Sequence, residues 1–434
     1  MSGILDKYFG FTQHETTIKR EIIAGITTFL TIAYIIFINP KILGLTGMDK
    51  DAVFTSTCLI SAFATLMMGV YANSPIGLVP GMALNTFFTY VVVQTEKYSW
   101  ENALGMVLIS GCVFLILTVS NIRNKLIKAM PACMNVAILV GISLLLGLIA
   151  LKTNNIVMVE ESGVIHLGDL ASRETSLFFL GFLLILVLDY NQIQGSLIIG
   201  ILGISVLNFI ITFNGVPELI SMPKDISPVF WKFKFDEIQN AKAYKQVFSF
   251  ILIALFDATG TIIGLLHTPL FERLPGKDKK VARGLVCDSS GTILAAVIGC
   301  SSTSPAVESA SGIEVGGRTG FTSVVVACCF IAALFVSPIV ELIPDFAVGA
   351  ALLYIACCIM KDISRLEVGD ITDFAPSVLT MVMIPFSFSI ADGIGVGVIS
   401  YTVLKILTKK FNQLNAVLVI LTGIFLYYFV GMGH

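Results

Sequence analysis

The chain has 434 residues, of which 56% are hydrophobic and 13% charged, with a mean hydropathy of +0.90 and a formal net charge of −2. A soluble domain carries roughly 25% charge, so a sizeable soluble domain is excluded, and no basic excess suggests nucleic acid. Apolar runs of about 17–20 residues, each enough to cross a bilayer, recur from end to end, and the chain reads as an all-α polytopic membrane protein.

Residues 1–20 are polar with scattered apolar positions (Ile4, Leu5, Tyr8, Phe9) and read as a cytoplasmic segment with no cleavable signal, forming a short surface helix. About fourteen spans follow. The first seven are placed at 21–40, 52–72, 76–93, 102–120, 132–151, 176–189 and 195–213. The second seven are placed at 246–266, 284–300, 302–316, 321–343, 347–360, 374–390 and 392–408. A last apolar run, 414–431, is either a fifteenth crossing or a surface helix. With the N-terminus inside, most of the 27 basic residues fall in inner segments, among them Lys7, Lys19, Arg20, Arg123, Lys125, Lys128, Arg273, Lys277, Lys279, Lys280 and Arg283. Basic residues mark the cytoplasmic side, which sets this orientation. The nine cysteines sit mainly in apolar runs without a C-x-x-C or a His cluster, so they read as packing residues and no metal site is expected.

The two sets of seven read as an inverted repeat. Span 1 contains GITTFLTIAYIIFINP and span 8 contains ALFDATGTIIGLLHTP, which align without a gap and place Thr28 opposite Asp257. The third span of each set is interrupted: span 3 begins NSPIGLVPGMALN and span 10 begins CSSTSPAVE. Pro and Gly break the helical ladder, and broken backbone at membrane depth is tolerated only inside the protein or along a cavity. Each of these spans is expected to be a short extended segment that turns helical at its Pro. Interrupted segments at matching places in two halves point to a transporter's binding site.

Two carboxylates lie at that depth. Asp257 is near the middle of the apolar run 247–266, and Glu308 lies in broken span 10. An ionisable side chain there costs at least ~2.5–3.5 kcal/mol and is by default functional. The structural alternatives are an interhelical hydrogen bond for Asp257 and a helix cap for Glu308, with Ser304 as N-cap and Pro305 as first helical residue. Asn85, in span 3, offers a donor and an acceptor, and its alternative is a bond to a neighbouring helix. Asp288, at the start of span 9, divides between an ion-pair role and a coupling role. Glu314 and Arg318 read as paired or solvated, and His14 and His267 as interface residues. No G-x-S-x-G, H-E-x-x-H, P-loop or G-x-G-D occurs, so no enzyme is expected.

GLVPGMALNTFFTY, LFDATGTIIGL, VESASGIEVGGRTGFTSVVV and the opening EIIAGITTFLTIAYIIFINPKILGLTGM resemble the AzgA-like purine permeases, a branch of the nucleobase–ascorbate transporter (nucleobase–cation symporter-2) group, over about residues 5–410. The resemblance implies a 7+7 inverted repeat. Its core domain comprises spans 1–4 (21–125) and 8–11 (246–345). Its gate domain comprises spans 5–7 with the outer loop (126–245) and 12–14 (346–410), followed by a C-terminal apolar segment (411–434). It also implies proton-coupled uptake of adenine, guanine or hypoxanthine across the cell membrane. By resemblance the span 3 Asn is Asn85, the span 8 acid Asp257, the span 9 acid Asp288 and the span 10 acid Glu308. One departure matters: where relatives carry a bulky aromatic just before the span 10 acid, this chain has Ala306.

A purine is flat, with N–H donors on its edge. Asp257 and Glu308, helped by Asn85 and the half-helix N-termini, are expected to hold that edge, and Asp257, Glu308 and Asp288 to carry the coupling proton. No cofactor is expected beyond H⁺. The partners are the purine, the lipid bilayer and, as one open assembly, a second copy in a homodimer. The alternatives are a sulfate-permease-type anion transporter on the same plan and a non-transporting receptor or scaffold.

Overall fold

The computed structural model describes residues 2–120, 130–159, 165–212, 221–239, 241–266, 277–336, 342–366 and 368–431. Arg123, Lys125, Lys128, His267 and Arg273, used above, lie outside them.

The elements run in this order: α1 (Ser2–Phe9), α2 (Ile18–Ile32), α3 (Ile35–Gly44), α4 (Lys50–Val70), β1 (Leu78–Pro80), α5 (Met82–Thr86) continued by a π-helical stretch (Phe87–Thr95), α6 (Trp100–Val119) and α7 (Ala132–Thr153). Then come β2 (Val157–Val159), β3 (Ile165–Leu167), α8 (Arg173–Tyr190), α9 (Ser196–Thr212), α10 (Ala241–Leu266), α11 (Lys277–Ile298), β4 (Thr303–Pro305), α12 (Ser309–Val315) and α13 (Gly320–Ala333). The chain closes with α14 (Asp345–Met360), α15 (Ile371–Ser387), α16 (Ile390–Leu407) and α17 (Ala416–Gly431). Among the described residues seven helical stretches of 18 or more residues are apolar enough to cross a membrane, two of them composite (Ile18–Gly44 across α2 and α3, Asp345–Arg365 across α14 and the turn after it), and four shorter apolar helices join them. This is a multi-pass, mostly helical membrane protein. Large apolar side chains on α8 (Leu180, Leu183, Val187) remain outward-facing, as a lipid-facing surface requires.

Helix starts follow local chemistry. Asp49, Ser99, Ser172 and Ser389 each accept a hydrogen bond from a backbone N–H of the first turn at the heads of α4, α6, α8 and α16. The first apolar run is not one helix: it turns at Ala33–Tyr34 between α2 and α3. The small β2–β3 hairpin lies between α7 and α8 and has no counterpart in the sequence reading.

Packing sorts the helices into two neighbourhoods. In one, α4 packs on α3, α11 and α13; α2 on α12 and α13; α6 on α10 and α11. In the other, α7 packs on α14 and α15, α14 on α8 and α9, and α15 on α16. Backbones approach closely at Gly69 and Gly320, where a Cβ on Gly320 would lie 1.9 Å from the Gly69 carbonyl oxygen. Small residues of this kind are how membrane helices gain packing area without a hydrophobic driving force between them.

The two interrupted segments meet at the centre. β1 and β4 pair antiparallel, with Leu78 opposite Pro305, Val79 opposite Ser304 and Pro80 opposite Thr303. Every residue of both strands is buried. Beyond the ladder, Ala306 N donates to Gly77 O (2.9 Å) and Gly81 N to Ser302 O (3.3 Å). Thr65 of α4 both donates to Leu78 O and accepts from Leu78 N, each at 2.9 Å. Backbone freed from helix is thereby satisfied by backbone from the other half of the chain, as a water-poor interior demands.

Here one expectation is corrected. Pro80 and Pro305 are not first helical residues: each ends a strand, and the helices begin later, at Met82 and Ser309. Proline lacks an N–H and is tolerated in a ladder where no donor is needed, as at the end of a short pair. Ser304 is accordingly mid-strand, not a helix cap.

Several buried charges away from this crossing are paired or hydrogen-bonded. Glu21 of α2 has no exposed surface and accepts from Arg318 N (2.9 Å), Thr319 N (3.3 Å), Thr322 N (3.2 Å) and Thr322 Oγ1 (2.6 Å) at the head of α13. Lys405 of α16, also fully buried, pairs with Asp373 (2.8 Å) and Asp370 (3.7 Å) at the head of α15. Arg318 turns its guanidinium onto the carbonyls of Ile313 (2.6 Å) and Gly317 (2.9 Å), while Glu314 is exposed. His14 is 5% exposed, and burial with Lys280 nearby holds its imidazole well below the usual range, at about 4.

Candidate functional site

Asp257 and Glu308 reach the β1–β4 crossing from different elements. Asp257 projects from α10, and its Oδ2 accepts from Ser304 Oγ of β4 at 2.6 Å. Glu308 is the residue before α12, at φ −60° and ψ −14°, and its side chain makes no cap bond to that helix. Its Oε1 instead accepts from the Tyr34 hydroxyl at 2.7 Å. Both acids are half-buried, unlike the fully buried Glu21. Each accepts from one side-chain hydroxyl through one oxygen, so each can still accept from a ligand through the other.

Gly81 makes the space beside Asp257. A Cβ there would sit 2.9 Å from the Ser304 Cβ and 3.7 Å from Asp257 Oδ2. Phe87, in the π-helical stretch after α5, and Phe250 of α10 meet edge to face, with ring centroids 4.9 Å apart. On the Glu308 side, Thr31 Oγ1 lies 3.1 Å from Ser311 Oγ and 3.4 Å from the Glu308 carbonyl oxygen, fixing the turn into α12 against α2. Thr28, the position aligned with Asp257, packs against α12 and the segment before β1: a Cβ on Gly312 would lie 1.9 Å from its Oγ1, and one on Gly77 4.0 Å from its Cγ2.

Asn85 is fully buried one turn into the helix after β1. Its amide donates to Asn39 Oδ1 and its Oδ1 accepts from Ser301 Oγ. Asn39 in turn donates to Thr57 Oγ1 (2.8 Å) and Cys300 Sγ (3.2 Å). This cluster ties α3, α4 and α5 to the segment leading into β4, and leaves Asn85 one amide proton for any further partner. Asp288, in α11, is 1% exposed and meets β4 through its main-chain oxygen, which accepts from Thr303 Oγ1 at 3.3 Å.

The structure therefore brings Asp257 and Glu308 to the two ends of one short segment, Ser304–Glu308, which runs from β4 to the head of α12, with Asn85 and Asp288 on its flanks. Sequence reading missed Tyr34, Ser304, Ser301 and Asn39. A hydroxyl or amide inside an apolar run was the available signal, and it does not by itself distinguish packing from a site.

The family model described as Permease family matches residues 19–399. The chain is 36% identical over 427 residues to the adenine permease AdeP of Escherichia coli (strain K12), covering 98% of this chain and 95% of that protein. It is 33% identical over 425 residues to the guanine/hypoxanthine permease PbuO of Bacillus subtilis (strain 168), covering 96% and 98%. In fold it is similar to the transmembrane domain of a cyanobacterium bicarbonate transporter, BicA, with a TM-score of 0.64 at 14% identity over 87% of this chain and 97% of that one. The protein is a transporter and not an enzyme, and it belongs to the Permease family, in the branch that holds the adenine and guanine/hypoxanthine permeases.

Proposed function

We propose that this protein imports purine nucleobases (adenine, guanine or hypoxanthine) across the cytoplasmic membrane by proton symport with alternating access. The observation that carries the reading is the pair of half-buried carboxylates at the β1–β4 crossing, each with an oxygen open to a ligand. Relatives named as adenine and guanine/hypoxanthine permeases supply the substrate class. A carboxylate accepts the N–H donors of a purine edge, and apolar walls cover its faces. Asp257 and Glu308 hold that edge in this reading. Asn85 offers its remaining amide proton and fixes β4 in place. A proton taken up by Asp257 or Glu308, with Asp288 as relay, neutralises the site as the base binds. The proton is the coupling ion, and no cofactor takes part.

The rest of the proposal concerns architecture. Fourteen spans form a 7+7 inverted repeat with a cytoplasmic N-terminus. The neighbourhood of α2–α6 and α10–α13 is the core domain, and that of α7–α9 and α14–α16 the gate, the two moving against one another in a bilayer-embedded homodimer. The BicA likeness, at its low identity, concerns fold alone, and two acids at the site disfavour an anion as cargo.

The test is uptake of labelled adenine and hypoxanthine by cells lacking their own permeases. Saturable uptake, competed by unlabelled purines and abolished by an uncoupler, is expected. No purine uptake by protein present in the membrane overturns the substrate class; uptake indifferent to the uncoupler overturns proton coupling.

A further inference from the structure

Tyr34 is a tyrosine in an apolar run, at the break between α2 and α3. It is 5% exposed and belongs to the apolar cluster that also holds Val79, Met82, Ala306 and Tyr354. That cluster takes in both broken segments, and it includes the small Ala306 standing where an aromatic was expected. Tyr34 thus adds an aromatic ring from span 1 to the apolar cluster to which span 10 contributes the small Ala306. Its hydroxyl is spent on one contact: it donates to Glu308 Oε1 at 2.7 Å.

Two consequences follow from that geometry. A carboxylate on a short side chain at the start of a helix is free to rotate, and a phenol fixed by packing removes that freedom, because one oxygen is held and the other must point away from it. A phenol that donates to Glu308 also has only lone pairs left. The Tyr34–Glu308 pair therefore shows a ligand acceptors and no donor. Asp257, whose own hydroxyl donor is Ser304, shows the same. The remaining titratable groups near Glu308 are Asp257 on α10 and Cys358 on α14.

We propose that Tyr34 is a positioning residue for the substrate: it clamps Glu308 through Oε1 so that Oε2 is the oxygen offered to an N–H donor of a planar heterocycle. The inference rests on the purine reading of the site and adds a residue to it. Tyr34 acts through Glu308, and its ring packs in the same apolar cluster as Ala306. A heterocycle methylated at the nitrogen that donates to Oε2 loses that contact and is excluded.

The experiment compares wild type with Tyr34→Phe, which keeps the ring and removes the hydroxyl. Labelled adenine and hypoxanthine uptake is measured over a range of concentrations, with the amount of protein in the membrane read by immunoblot. A hydrogen bond to a charged group sets the scale, so KM is expected to rise about tenfold while the maximal rate per molecule stays within about twofold. A merely structural tyrosine would lower the amount of protein or the maximal rate and leave KM alone, and that result overturns the proposal. An unchanged Tyr34→Phe in every parameter overturns it too. Should Tyr34→Phe fail to reach the membrane, Tyr34→Trp, which keeps a ring and a donor, serves in its place: a preserved KM supports the clamp, and a KM that rises as the donor is retained overturns it. If wild type takes up no purine at all, the substrate reading fails instead, and the two failures are told apart by that control.

Discussion

Glu21 and Glu308 are both glutamates at the edge of a helix in an apolar protein, and their surroundings differ in kind. Glu21 has no exposed surface and collects three backbone N–H groups and one hydroxyl. Glu308 is half-buried, accepts from one tyrosine, and stands beside a second acid, Asp257, that accepts from one serine. A carboxylate surrounded by donors has its lone pairs taken and nothing left to give a ligand. One with a single donor has been fixed in direction but left with capacity. Lys405 belongs with Glu21: it is fully buried, with Asp373 and Asp370 to hold it. Saturation of the charge, together with burial, separates the supporting charges from those at the crossing.

The sharpest way to break this comparison is at the unsaturated pair. Asp257→Asn and Glu308→Gln each exchange an anionic acceptor for a neutral amide, and purine uptake should fall by about 100-fold, equivalent to about one charge-assisted hydrogen bond. Immunoblotting and size-exclusion profiles should be unchanged. Transport at the wild-type rate in both would sink the site assignment.

Glu21 should behave in the reverse manner. Glu21→Ala leaves three N–H groups at the head of α13 without their acceptor, and about 3 kcal/mol of stability should be lost. The measurement is thermal unfolding of purified protein, with uptake normalised to folded molecules staying near wild type. A stable Glu21→Ala protein that no longer transports would place Glu21 with Asp257 and Glu308 after all. Lys405→Met should cost less, about 2 kcal/mol, because Asp370 and Asp373 keep some access to solvent and Lys410 also reaches Asp370.

His14 gives the smallest effect, read through pH. Its folded value, about 4, lies below the roughly 6.5 of an unfolded histidine. Below that higher value the unfolded chain binds a proton that the folded chain refuses. His14 therefore contributes stability that is complete above about pH 6.5 and drains away as pH falls to about 4. The fall in melting temperature between pH 6.5 and 4.5 should be shallower in His14→Gln than in wild type, and parallel curves would contradict this.

How much of this was legible beforehand depended on whether the signal was local. Asp257 and Glu308 stood out because a charge in an apolar run is costly wherever the chain goes, and Pro and Gly mark broken backbone without reference to neighbours. Family membership was legible from contiguous motifs. The strand pairing was not: whether a proline starts a helix or ends a ladder depends on a partner strand more than two hundred residues away. Glu21 sits in a Lys-Arg-Glu run that reads as a solvated helix end, and only the head of α13 turns it into a buried anchor. Tyr34 carries no signal in its own run, because its hydroxyl has meaning only opposite Glu308.

The β1–β4 ladder also bears on how the protein is made. Its two strands come from opposite halves of the chain, so β1 leaves the ribosome long before its partner exists. At roughly 5–20 residues per second, β1 waits some ten to forty seconds for residues 303–305 to be synthesised. Through that interval the backbone around Leu78–Pro80 has neither helix nor sheet to satisfy it, and Thr65, already inserted, can cover only Leu78. The first half of the molecule is therefore a waiting intermediate, dependent on the insertion machinery or its helpers to shield an open strand, and translation arrested before β4 should leave it marked for degradation.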